Sequence, residues 1–332
     1  EDLLLNKAKI LSKKLNNNIS KDANNSLGVM IGVKDIFNTM EMPTKMGSLT
    51  WQNIDSGFDS RVVFELRKKG YLICGKTTTS EFTISSIPKT LNYFNKDLYA
   101  GTSSAGSALS VASKVNCISI SSQTAGSTIR PASYNGIFAM KPSFGLIPRT
   151  GVLKTCDTLD TVSFFGSNIS DLEYTLKDLM VKGPNYPNSA FCEYYSNLKI
   201  PKSKKLKIGI PVSYLDELIS EDIKENKKRL IIELKKFGHQ IKFIHLNNLI
   251  KDAHWVHDKI YSKSVSYYFK EEFNKSRHLL KKSTLNFILN GQKVTFSEYK
   301  ELLKYQDDLF LRFNKEIKNI DILLTHSTAD NN

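Results

Sequence analysis

YAGTSSAGSALSVASKVNCISISSQTAGSTIRPASYNGIFAMKPS, residues 99–143, decides how this chain folds. Small residues crowd it and charges are few. It reads as two Gly/Ser turns, 101–107 and 124–128, on either side of a segment suited to burial. After the first turn, residues 107–113 are small and apolar enough for a helix packed tightly into a core. VNCISISSQT (115–124) carries the β-branched residues of a strand, and AGS (125–127) is the bend at its end. Each turn holds a hydroxyl in a tight bend where backbone N–H groups can face a ligand. A serine hydrolase needs that geometry, and it also needs a base.

Upstream, EDLLLNKAKILSKKLNNN (1–18) has the spacing of an amphipathic helix. LGVMIGVKD (27–35) reads as a buried strand ending near Lys34. SRVVFELRKKG (60–70) is a helix, with Val62, Val63 and Leu66 on one stripe and Gly70 at the stop. YLICGKT (71–77) is a strand. Strand, helix, strand in that order predicts an α/β class with a mostly parallel sheet. The GKT lacks the loop of a phosphate-binding motif, so nucleotide binding is disfavoured. Downstream, 130–151 reads as short segments punctuated by Pro131, Gly136, Pro142, Gly145 and Pro148. LKIGIP (206–211), EDIKENKKRLIIELKKFG (221–238) and HQIKFIHL (239–246) form a second β-α-β unit. Residues 252–290 and 296–318 read as helical, and IDILLTHST (320–328) as a last strand. The expectation is a single large α/β domain over 1–332, its mixed, mostly parallel sheet flanked by helices on both faces.

A chain of 332 residues, 40% hydrophobic and 24% charged, has a globular composition. Its net charge of +14 comes from lysines scattered among asparagines, as in KKLNNNISKDANN (13–25), which argues for solvated surfaces rather than a nucleic-acid groove. The four cysteines, Cys74, Cys117, Cys156 and Cys192, make no CxxC pair or metal-ligand spacing. Cys74 and Cys117 lie in apolar runs and read as core residues, which fits a reducing, cytoplasmic location. No run approaches the ~18 apolar residues of a membrane span, and no signal peptide is visible. Glu1 in place of an initiator Met leaves truncation open.

Three residues then need weighing together: Lys34, Ser103 and Ser127. Each has a bland reading. A lysine at a strand end pairs with a carboxylate such as Asp35, and a serine in a turn bonds its own backbone. The sharper reading is a buried lysine, deprotonated by desolvation, serving as a base. All six histidines fall at 239 or later, so no Ser-His-Asp triad can be built from residues 27–165. His254 and His257, three apart on a helix, lack an evident carboxylate partner and read as solvated or capping rather than metal-binding.

The stretch 27–165 resembles the amidase signature family. GVKD (32–35), GKTTTSEF (75–82), GTSSAGSA (101–108), QTAGSTIRP (123–131), FAMKPSFGLIPRTGVLKT (138–155) and LDTVSFF (159–165) follow that family's order and spacing. The likeness is looser in 195–332, which the resemblance implies completes the sheet and pocket. It implies Ser127 as nucleophile, Ser103 as a bridging serine after a cis peptide bond, and Lys34 as base. The oxyanion hole would use the N–H groups of Thr124, Ala125 and Gly126 together with that of Ser127. The implied reaction is amide hydrolysis through an acyl-enzyme, with no cofactor and no metal. The implied partner is a small-molecule amide, with neither nucleic acid nor membrane, and a homodimer stays open. Thr102, Ala105 and Ala125 stand where the family usually has glycine.

One register divides subfamilies. In tRNA-dependent amidotransferase A subunits an aspartate opens the second motif, and one residue separates the nucleophile from an arginine. Here Gln123 opens it, and Thr128 and Ile129 precede Arg130. That register resembles stand-alone, malonamidase-like enzymes, and it implies Arg130 and Ser104 as substrate-binding residues. Arg130 is open to a second reading as a structural ion pair. The rivals are the glutaminase A subunit of a Glu-tRNA(Gln)/Asp-tRNA(Asn) amidotransferase and a non-catalytic binding member of the family. Asp160 and Lys141 read as structural, and Glu81 as a buttress.

Overall fold

A computed structural model describes residues 2–16, 28–52, 54–84, 87–181 and 205–330. Cys192 lies outside them. The first helix, α1, spans Asp2–Asn16. The apolar run at 27–35 becomes β1, Met30–Lys34, buried from Ile31 onward. Helix α2, Arg61–Lys68, starts where the Ser60 hydroxyl accepts from Val63 N and ends before Gly70, whose φ is +90°. Then come β2 (Leu72–Thr77), α3 (Ala105–Ala112), β3 (Ile118–Gln123), α4 (Ile129–Tyr134), β4 (Phe138–Met140), β5 (Thr161–Gly166) and α5 (Ile169–Leu179).

By contacts the chain forms two compact units, Glu1–Asn197 with Tyr268–Phe287, and Leu198–Tyr267 with Ile288–Asn332. The first holds a five-stranded sheet in the order β2-β1-β3-β5-β4. β1 lies parallel between β2 and β3, and β5 runs antiparallel to β3 and β4. Ile31, Val33, Ile118, Ile120 and Phe164 bury one face against Val62, Val63 and Leu66 of α2 and Leu172 and Leu179 of α5. On the other face Phe165 packs with Ala108 and Val111 of α3 and Ala132 of α4. The alternation of period two along β1 therefore puts Gly32 and Lys34 opposite Ile31 and Val33.

The second unit contains β6 (Lys207–Val212), α6 (Glu221–Lys236), β7 (Gln240–His245), most of α7 (Asn247–Tyr268), α10 (Phe296–Glu316) and β8 (Ile322–Leu323). Its strands pair among themselves, parallel, in the order β7-β6-β8. Between α7 and α10 the chain forms α8 (Lys270–Ser276) and α9 (Lys282–Gln292). A Cβ on Gly291 would lie 1.9 Å from the Ser262 carbonyl oxygen, so α9 crosses α7 there with the backbones in contact. His254 Nδ1 bonds the Tyr214 hydroxyl at 2.6 Å. No described helix is long and apolar enough to cross a membrane.

Taken over the two sheets, strand pairing is mixed and mostly parallel, as expected. Four local expectations change. Residues 129–134 are helical despite Pro131, because proline in a first turn removes only an N–H that has no partner within the helix. Cys117 is exposed rather than core, since it precedes the first ladder residue, Ile118. The helical stretch 252–290 is broken into three helices, with breaks at Phe269 and at 277–281. The last strand shrinks to two residues.

Candidate active site

Lys34 closes β1 with its side chain fully buried. Its Nζ donates to Ser103 Oγ at 2.8 Å and Ser122 Oγ at 3.1 Å, with the Ser122 carbonyl at 3.5 Å. The bland reading fails, because Asp35 pairs with Lys76 Nζ at 3.0 Å instead. Lys34 therefore sits among neutral oxygens. Burial pushes its pKa down from 10.5 to about 7, and the negative charge of Asp160 opposes part of that fall.

Ser103 follows a cis peptide bond from Thr102. Its carbonyl accepts from Ser80 N at 3.3 Å and from Thr79 Oγ1 at 3.1 Å, which holds the turn against the end of β2. Helix α3 can lie this close only because its second residue is glycine. A Cβ on Gly106 would meet Thr78 N at 2.5 Å.

Ser127 lies in the bend between β3 and α4, 8% exposed. Its hydroxyl makes no hydrogen bond among the described residues. Gln123 Oε1 accepts from Thr128 N at 2.9 Å and Ile129 N at 3.0 Å, so the residue that opens the motif also caps α4. The amides of Ala125, Gly126 and Ser127 donate to no protein acceptor among the described residues. Three successive free amides at a helix entrance suit an incoming negative oxygen.

The two turns are tied together around Ser127. A Cβ on Gly101 would meet Pro131 Cα at 2.7 Å, and Gly101 has φ +83°. Arg130 Nη2 donates to the Thr102 carbonyl at 3.1 Å. Ser104 Oγ faces the Ser122 carbonyl at 3.4 Å and is fully buried. A hydroxyl so placed ties the first turn to the end of β3. Arg130 pairs with no carboxylate among the described residues. Its Nε is buried without a partner among the described residues.

Asp160 does more than its sequence position indicated. Oδ1 accepts from Thr124 Oγ1 and Thr155 Oγ1, both at 2.7 Å. Oδ2 accepts from Thr155 N at 2.7 Å and Cys156 N at 3.0 Å, and lies 3.3 Å from Arg149 Nη1. One carboxylate thus anchors the first residue of the 124–127 bend and supplies the charge felt by Lys34. Its polar surround of Thr124, Thr155 and Arg149 is assembled from separate segments, which spacing alone does not reveal. Glu81 is buried, accepting from Ser48 Oγ at 3.1 Å, Lys281 N at 2.8 Å and Thr284 Oγ1 at 2.6 Å. Lys141 donates to the Pro142 carbonyl, and burial lowers its pKa.

The Amidase family profile matches residues 2–330. The chain is 31% identical over 225 residues to the A subunit of the glutamyl-tRNA(Gln) amidotransferase of Gloeothece citriformis, covering 65% of this chain and 47% of that protein. It is 32% identical over 239 residues to the mitochondrial counterpart from Candida albicans, covering 68% and 53%. The chain spans about half the length of the curated relatives it matches. Its fold superposes on a solved amidase with TM-score 0.86 at 21% identity, over 98% of this chain and 72% of that one. Kluyveromyces lactis allophanate hydrolase gives TM-score 0.79 at 23% identity, over 98% and 53%. With its sequence matched from residue 2 to residue 330 and its fold shared with solved amidases, this chain belongs to the amidase family.

Proposed function

We propose that the chain is an amidase that hydrolyses a carboxylic acid amide to the acid and ammonia. Ser127 Oγ attacks the amide carbonyl, and its proton passes through Ser103 to neutral Lys34. The carbonyl oxygen, now negative, is received by the 124–127 amides. The C–N bond breaks as the proton returns through the relay to the leaving nitrogen. Water then attacks the acyl-enzyme by the same route and frees Ser127. The observation that carries this reading is Lys34, fully buried and bonded to Ser103, where burial lowers its pKa to about 7. The direct test is ammonia release from a panel of small amides by the purified chain. Release from none of them overturns the reading.

Arg130 points the substrate toward amides that carry a carboxylate, because its guanidinium lies against Gly126, the residue before the nucleophile, with no protein carboxylate among the described residues paired to it. Replacing Arg130 by Leu is expected to raise KM for dicarboxylic monoamides by roughly 10–100-fold, the loss of one charge-assisted contact. KM for neutral amides should stay within about threefold. Equal effects on both classes would remove the carboxylate assignment.

Asp160→Asn should lower kcat/KM by roughly 10–100-fold, since a displaced oxyanion donor loop costs on that scale. The pH profile separates this from general damage. The Asp160 charge raises the Lys34 pKa, so its removal should move the acid limb to lower pH. An unmoved or rising limb contradicts the charge argument.

A second reading has support in the names of the sequence relatives, which are amidotransferase A subunits. Under it, the same Ser127 chemistry would release ammonia from glutamine for a partner protein. Glutaminase activity that arises only on addition of partner proteins and tRNA would favour it. The Gln123–Arg130 register favours the stand-alone reading.

A further inference from the structure

A cavity of about 390 Å³ in the first unit is lined by none of Lys34, Ser103, Ser127 or Arg130. That volume suits a small organic molecule. Its walls are apolar and aromatic: Met46, Trp51, Phe58, Val152, Tyr268 and Phe269. Phe269 is fixed by stacking on Phe82 with ring centroids 4.3 Å apart, and Tyr268 is held through its hydroxyl by Asp157. Phe58 is solvent-exposed although it lines the cavity. One carboxylate lines these walls. Glu272 Oε1 accepts from Trp51 Nε1 at 2.9 Å, and Oε2 is buried with no hydrogen-bond partner among the described residues. Lys154 also lines the cavity, but it is exposed and its ammonium can reach water.

We infer that this cavity is a binding site for an organic cation, an ammonium group on a hydrophobic body. A buried carboxylate oxygen left without a donor is costly, and an ammonium supplies the missing donor together with the opposite charge. The faces of Trp, Tyr and Phe attract the same cation, whereas they offer nothing to an anion. The hydrophobic body fills the space walled by Met46, Val152 and Phe269. A neutral hydroxyl could donate to Glu272 Oε2 but would not offset its charge, and an anion would do neither.

The inference does not depend on the proposed hydrolysis, and the test keeps them apart. Binding of 2-phenylethylammonium and of its neutral counterpart 2-phenylethanol is measured calorimetrically at pH 7. The cation is expected to bind at least about tenfold more tightly, the worth of one charge-assisted bond. Glu272→Gln should bring the two within about threefold while leaving the affinity for the alcohol unchanged. Phe58→Ala should weaken both. Cation binding should be unchanged in Ser127→Ala. Equal affinity in the wild type, absence of binding by both probes, a cation preference that survives Glu272→Gln, or loss of binding in Ser127→Ala would each overturn the assignment.

Discussion

A Ser127→Ala chain is expected to hydrolyse amides at least about 10⁴-fold more slowly than the wild type, on the scale seen when a nucleophilic serine is removed. Ser127 Oγ makes no hydrogen bond among the described residues, so its removal leaves no buried group unsatisfied. Stability should change by less than about 0.5 kcal/mol, and melting should report an intact fold. The double variant Ser103→Ala/Ser127→Ala should be no slower than Ser127→Ala alone, because a relay without a nucleophile has nothing to carry. Ammonia release in single-turnover assays checks both points. Turnover that survived Ser127→Ala would remove the proposed nucleophile. A further loss on adding Ser103→Ala would remove the relay.

Much of the framework around this serine could be read from sequence, because local rules and tertiary packing agree there. The run before Lys34 shows no polar alternation and contains no charge, so it had to be a strand buried on both faces. Gly70, Ser60 and the stripe Val62, Val63 and Leu66 bounded α2 without help from the rest of the chain. Helix α4 was hidden because Pro131 and Gly136 read as punctuation, whereas a proline in a first turn is permissive. Cys117 misled because its neighbours are apolar, yet the strand ladder begins one residue later.

What was hidden at the site were contacts between residues far apart in sequence. Ser122, whose hydroxyl is a second acceptor for Lys34, is 88 residues from it. The Trp51–Glu272 bond joins residues 221 apart. Ser104 lies beside Ser103 in the motif but faces away from solvent, a difference of orientation that no spacing encodes. Lys34 itself was ambiguous for a similar reason. Its alternative partner, Asp35, is adjacent in sequence but is claimed by Lys76 from the neighbouring strand β2.

Lys34→Met should cut activity steeply and, at the same time, stabilise the protein in a pH-dependent way. As base, Lys34 accounts for roughly 10²–10⁴ in rate, and the long apolar Met side chain fills the same space without a charge. The wild type should lose kcat/KM as pH falls below about 7, where Lys34 takes up its proton. Stability follows the same proton. The pKa falls from 10.5 to about 7, so between those values the unfolded chain binds a proton that the native one has released. Wild-type stability therefore rises with pH across that window, by about 1.4 kcal/mol per unit at most. Met at position 34 has no such titration. The melting temperature of Lys34→Met relative to wild type should climb as pH is lowered from 10.5 toward 7, then level off once Lys34 is charged in both states. A difference that shrank toward pH 7 would mean that Lys34 is stabilised as an ammonium. A cation held in that way could not accept the Ser127 proton.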